Sequence, residues 1–171
     1  IVRGGRYVGQ SLAERLAALI DSVAEPALRG LLERALDGSR EPGATFAIVP
    51  AAVRNHHAYR HGLIEHSLIV AEVAACAAAQ LPGVDRDLVV AGALLHDIGK
   101  TLAYSSDPFA PGITDVGRLH GEIVLGHDIV KGLVGELPGF PPELDRRLRH
   151  VLIAHRSEEH TSEIQSRQVI S

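Results

Sequence analysis

The sequence has no tryptophan and no methionine, and only three phenylalanines and three tyrosines among 171 residues. A core without these bulky side chains must be built from Leu, Ile, Val and Ala, which suits packed helices. Cysteine is almost absent as well. The single Cys76 excludes an internal disulfide and fits a reducing compartment, so a cytoplasmic location is expected. No apolar run has the length of a membrane span, and no secretory leader is visible. Positive charge is not in excess: the formal net charge is −4. The surface as a whole will therefore not attract nucleic acid, and such a substrate would need a local basic patch or another domain. The chain begins at Ile1 rather than Met, as expected of a fragment or a processed piece.

What is present is apolar and helically patterned. Apolar residues make up 46% of the chain, enough for one domain with a real core. Leu12, Leu16, Leu19 and Ile20 recur at helical spacing behind Ser11, a suitable N-cap. Pro26 opens a second helix that runs to Leu36, ended by Gly38. Residues 38–50 read as a Gly- and Pro-rich loop, and Pro50 starts a short helical turn. A long helix follows over 62–81, stopped by Pro82-Gly83. Asp85 caps the next, over 86–97, with Gly99 as its stop. Residues 101–118 read as a long loop, and loops of that length are often functional. Helices at about 119–136 and 143–155 complete an all-α domain of six or seven helices.

The most informative string is Leu94-Leu95-His96-Asp97-Ile98-Gly99-Lys100. A histidine and a carboxylate at the end of an apolar helix are costly to desolvate unless something compensates both. A divalent metal does so. His66 lies on the preceding apolar helix and shares a stripe with Leu63, Val70 and Val73, which predicts that it is buried. His66, His96 and Asp97 together make a mixed nitrogen and oxygen site suited to Mn, Fe, Co, Ni, Zn or, less well, Mg. A buried hydrogen-bonded network without metal is the alternative. Lys100, one turn beyond Asp97, can reach over the site to neutralise a phosphate oxygen, or can be a solvated helix-end lysine. His61, His127 and His150 read as surface residues.

These residues carry a specific resemblance. His66 followed by His96-Asp97-Ile98-Gly99-Lys100 resembles the HD superfamily of metal-dependent phosphohydrolases. Pro50-Ala51-Ala52, His56-His57-Ala58-Tyr59, Gly62-Leu63-Ile64-Glu65-His66-Ser67 and Thr114-Asp115-Val116-Gly117-Arg118-Leu119 narrow it. With Ile123-Val124-Leu125-Gly126 and Leu152-Ile153-Ala154-His155, they are similar to the HD domain of YhaM-like 3′→5′ exoribonucleases. The resemblance implies an HD-domain helical bundle over residues 11–155 and hydrolysis of phosphodiester bonds in single-stranded RNA or DNA. It also implies one or two divalent ions, manganese foremost. Asp97 and Lys100 would be the catalytic residues. His66, His96, Asp97, Glu122 and His155 would hold metal, Glu122 standing where the family has a histidine. His56, His57, Lys100 and Arg118 would meet the substrate.

The chain also departs from that family. An N-terminal OB-fold that grips RNA is expected to be absent here or reduced to residues 1–7, with residues 1–10 read as a remnant of an upstream region or linker. Arg156 replaces the second member of a histidine pair begun by His155, and a final aspartate ligand has no counterpart. Residues 156–171 (RSEEHTSEIQSRQVIS) resemble the translation of a sequencing-library adapter and are expected to be non-native, so His160 receives no role. An HD enzyme acting on a nucleotide or small phosphorylated metabolite, and a non-catalytic metal- or nucleotide-binding HD module, stay open beside the exoribonuclease reading. Oligomerisation is left open too.

Overall fold

Helices account for the regular structure throughout the computed structural model, which describes residues 11–52, 59–105, 107 and 112–155. The order is α1 (Leu12–Asp21), α2 (Pro26–Ala35), α3 (Gly43–Phe46), α4 (Gly62–Ala78), α5 (Arg86–Leu95), α6 (Lys100–Ala103), α7 (Asp115–Gly135) and α8 (Pro142–Ala154). Six are ten residues or longer, and α3 and α6 are single turns. The all-α architecture expected from the sequence is the one observed.

The start signals act through identifiable bonds. The Ser11 hydroxyl accepts from the Glu14 amide at 3.2 Å and the Glu14 carboxylate accepts from the Ser11 amide at 2.8 Å, a reciprocal capping box. Pro26 occupies the first turn of α2. Asp85 accepts from the Leu88 amide at 3.1 Å, and Thr114 from the Gly117 amide at 3.0 Å. Each satisfies a donor that has no partner inside its helix.

The core is aliphatic, as the composition requires. Leu28, Leu31 and Leu32 of α2, Leu63 and Leu68 of α4, Leu94 and Leu95 of α5, and Leu148 of α8 are fully buried. Phe46 is the largest of the sealed side chains. Helix α4 packs along α5, α7 packs on α6 and α8, and α8 returns to α5. Arg15 of α1 makes two bonds to Glu72 of α4, at 3.0 and 2.6 Å, and ties the first helix to the bundle. No helix among the described residues is long and apolar enough to cross a membrane.

Several boundaries differ from the sequence reading. The single turn α3 forms at Gly43–Phe46, inside the segment read as loop, and residues 49–52 near Pro50 are not helical. Burial of Phe46 stabilises that turn, a tertiary effect with no periodic signal. Helix α4 ends at Ala78 and α5 at Leu95, earlier than their apolar patterns suggest. The long loop after Lys100 shrinks from both sides, because α6 takes residues 100–103 and the Thr114 cap starts α7 at Asp115. Helix α7 is itself broken at Gly121, whose φ of 73° and ψ of 155° are not helical.

Candidate metal centre

The turn between α5 and α6 builds the site. His96 is the C-cap of α5, and Asp97 follows in the turn rather than inside the helix. Leu94, Leu95 and Ile98, all completely buried, clamp the segment on both sides of the pair. The Lys100 amide then donates to the Asp97 carbonyl at 2.9 Å, and the chain turns into α6.

Gly99 is not a helix stop. Its backbone is right-handed helical, and its value lies in what it lacks. A Cβ there would meet the Glu122 carbonyl oxygen at 1.9 Å and the Gly126 nitrogen at 2.5 Å. The turn carrying His96 and Asp97 is thus pressed directly against the backbone of α7. Gly92 does similar service one helix earlier, where a Cβ would lie 2.7 Å from a Val151 methyl of α8. That close approach brings the end of α8, and His155, beside His96.

Three donor atoms converge. His66 Nε2 lies 3.2 Å from His96 Nε2 and 3.6 Å from Asp97 Oδ2, and His96 Nε2 lies 3.2 Å from the same oxygen. One ligand atom from each lies within 4.8 Å of the other two. Lys100 donates to Asp97 Oδ2 at 2.7 Å. The lysine and aspartate are buried, so the reading of Lys100 as a solvated helix-end residue does not hold. His66 is less enclosed than its predicted stripe suggested: its side chain is 32% exposed, and Val73 further along is 65% exposed. The site therefore opens to solvent on the α4 side.

Electrostatics tie the cluster together. Burial works to raise the Asp97 carboxyl, but the hydrogen bond and charge of His96, with those of Lys100, hold it well below the usual carboxylate range. For His96, burial disfavours the imidazolium. The hydrogen bond and charge of Asp97 and the Ala93 carbonyl outweigh it and raise the ring above an ordinary histidine, against the charge of Lys100.

The donor set fits a divalent ion. His96 Nδ1 donates to the Ala93 carbonyl at 2.8 Å, which turns Nε2 toward the cluster as the free lone pair. His155 has the same arrangement, its Nδ1 donating to the Leu152 carbonyl at 2.7 Å. Its ring sits edge-on to His96 with centroids 5.4 Å apart. Two imidazole nitrogens and an ionised carboxylate aimed at one point are the ligand types that a divalent metal takes, and one ion could satisfy all three.

The other expected residues fall elsewhere. Glu122 is half-buried just beyond the Gly121 break, and neither it nor His155 is part of the three-residue cluster. Arg118 is 69% exposed and pairs only loosely with Asp115, at 3.8 Å. His56 and His57 lie outside the described residues, as do the terminal segments 1–10 and 156–171. Of the histidines read as surface, His61 is exposed but caps α4 in the left-handed region, its Nδ1 2.6 Å from the Ala47 carbonyl. His127 is half-buried between Asp128 and Arg149, at 3.1 and 3.2 Å. A buried carboxylate missed from sequence is Glu65, which accepts from the Tyr59 hydroxyl beside His66. Its signal was an acidic residue inside an apolar helix.

Comparison with known families agrees with this geometry. The HD domain family model matches residues 63–168, and the chain belongs to that family. Within it, the similarity is to YhaM-like proteins. The chain is 30% identical over 156 residues to the 3′-5′ exoribonuclease YhaM of Halalkalibacterium halodurans, covering 91% of this chain and 47% of that protein. It is 37% identical over 106 residues to the same-named protein of Listeria monocytogenes, covering 62% of this chain and 33% of the relative. The Listeria innocua protein matches to the same extent. The chain thus spans about half the length, or less, of these curated relatives. No solved structure gives a significant match.

Proposed function

We propose that residues 11–155 form the hydrolytic domain of a manganese-dependent 3′→5′ exoribonuclease, acting in the cytoplasm on single-stranded RNA or DNA. One observation carries the reading. His66, His96 and Asp97 present their ligand atoms to one another within 4.8 Å, with a buried ammonium 2.7 Å from the carboxylate. The 3′-5′ exoribonuclease activity for which the YhaM relatives are named supports the choice of substrate.

When bound, a divalent ion supplies Lewis acidity toward a phosphoryl oxygen and the attacking water. The chain does the rest. His66 and His96 offer neutral imidazole nitrogens. Asp97 stays ionised and aims Oδ2 at the same point. Lys100 holds a fixed positive charge that can pass from Asp97 to a non-bridging oxygen as charge develops there. His155, brought up by α8, and Glu122, on the α7 wall, are placed in this reading as ligands of a second ion. Arg118, with His56 and His57, serves the substrate strand. The expected upstream OB-fold belongs to the same reading, as does the non-native origin of residues 156–171.

The test is product analysis. Purified protein with Mn²⁺ should release mononucleotides stepwise from the 3′ end of a single-stranded oligomer. Hydrolysis of free nucleotides in place of the oligomer would move the assignment to a small-molecule HD phosphohydrolase. Metal content that is unchanged by His96→Ala would move it to a non-catalytic module.

A further inference from the structure

We propose that Tyr104 is the stacking platform for an unpaired nucleobase next to the phosphate in the site, so that the domain selects single-stranded ends. The inference rests on the phosphodiesterase reading above and names how that site takes its substrate.

Aromatic side chains are scarce here, and two of the described ones lie in or against the core. Phe46 is 1% exposed and Phe140 packs against the core. Tyr104 stands apart in position: it is partly exposed, and its ring centroid lies 6.0 Å from the Lys100 ammonium. That ammonium is the one bonded to Asp97. A nucleotide needs this pairing, a cation for its phosphate and a π face for the base one sugar away.

The platform is held at its backbone. Tyr104 is the extended C-cap of α6, its amide donating to the Lys100 carbonyl at 3.0 Å. It forms an antiparallel bridge with Ile113, and the Ser105 amide donates to the Gly112 carbonyl at 2.9 Å. The backbones of Lys100 and Tyr104 therefore keep a fixed relation through one turn of helix, and stacking orders little further backbone. Ile113 and Leu102, 43% and 50% exposed on the flanking backbone, add apolar surface for a base and its sugar.

Charge gives such a contact a purpose within this domain. With a formal net charge of −4, the chain lacks the general attraction that retains a polyanion. Stacking supplies affinity that salt does not screen. It also excludes a paired base, because the face is read only when the base has left its duplex.

The experiment uses oligothymidine carrying 2-aminopurine at its 3′ end, titrated with protein in EDTA, alongside an oligomer abasic at that position. Tyr104→Leu removes the π face and keeps apolar bulk; Tyr104→Phe keeps the face. Circular dichroism and Mn²⁺ content check that both variants retain fold and site. The expected result is fluorescence quenching by wild type and Tyr104→Phe. Tyr104→Leu should bind about tenfold more weakly, with no such difference on the abasic oligomer. Equal Kd and equal quenching for wild type and Tyr104→Leu would overturn the proposal. Tyr104-dependent quenching without any Mn²⁺-dependent cleavage would keep the platform and remove the hydrolase reading. Cleavage at an unchanged KM in Tyr104→Leu would do the reverse.

Discussion

Two segments face each other across the site, and they differ in kind. The turn from His96 to Lys100 is buried and clamped by Leu94, Leu95 and Ile98. Its polar atoms bond to one another at 2.7 to 3.2 Å. The opposing strip, Arg118 to Glu122 on α7, is broken by a non-helical glycine, and Leu119 on it is 79% exposed. Both carried motif residues of equal interest. Only the first has been brought to a common point. Convergence of charged side chains follows from packing that leaves the backbone no alternative, and desolvation then strengthens each pair. Where the side chains face solvent, the same residue types stay apart and are free to adjust to a ligand.

That contrast can be attacked directly. The largest effect is expected from Asp97→Asn. It removes the shared anion and leaves the Lys100 charge buried without its partner, at a cost of roughly 3–5 kcal/mol. Chemical denaturation of the metal-free protein measures this, and elemental analysis should find the bound metal lost. Activity should fall on the order of 10²–10³. Gly99→Ala comes next. Its methyl has nowhere to go against the Glu122 carbonyl, so about 1–3 kcal/mol of stability should be lost. The comparison would collapse if the two segments tolerated this substitution with unchanged stability.

Smaller effects sharpen the difference. His155→Ala should weaken Mn²⁺ binding about tenfold, measured by isothermal titration, and Glu122→Ala should weaken it less. The reverse order would show that the α7 strip is the better-formed half of the site. pH offers another probe. His96 is raised in the folded protein, so its contribution to metal-free stability is fully present below the ordinary histidine value. That contribution is lost as pH rises through the folded value. Asp97 is lowered, so its contribution is present above the ordinary aspartate value and lost as pH falls through the folded one. Metal needs the unprotonated ring, so stabilisation by Mn²⁺ should grow as pH rises through the folded value of His96. A flat dependence in thermal melts would sink this. The smallest effect belongs to Arg118→Ala, whose loose surface pair should change stability by less than about 0.5 kcal/mol.

The sequence made some of this legible for physical reasons. His66, His96 and Asp97 stood out because polar ligand types on apolar helices demand a compensating partner. Ser11, Pro26 and Asp85 marked helix starts because each fills a known gap in helix bonding. Other features had no local signature. Helix α6 is too short to show a period, so its residues 101–103 were read as loop. Gly99 was read as a terminator, yet it serves a backbone contact with residue 122, distant in the chain. The Gly121 break hides inside a segment whose apolar spacing continues past it. Lys100 was weighed as solvated because that is the common fate of lysine, and its burial depends on where α7 lies.

The two carbonyl anchors behind His96 and His155 have a consequence for how this centre tolerates change. In each case the oxygen that sets the ring's tautomer belongs to the main chain, three residues earlier. Exchanging the side chain at 93 or 152 leaves that oxygen in place. Mutation can delete either imidazole, but a replacement at the anchoring position cannot by itself invert which nitrogen faces the cavity, and so ring polarity here is an inherited property of helical geometry.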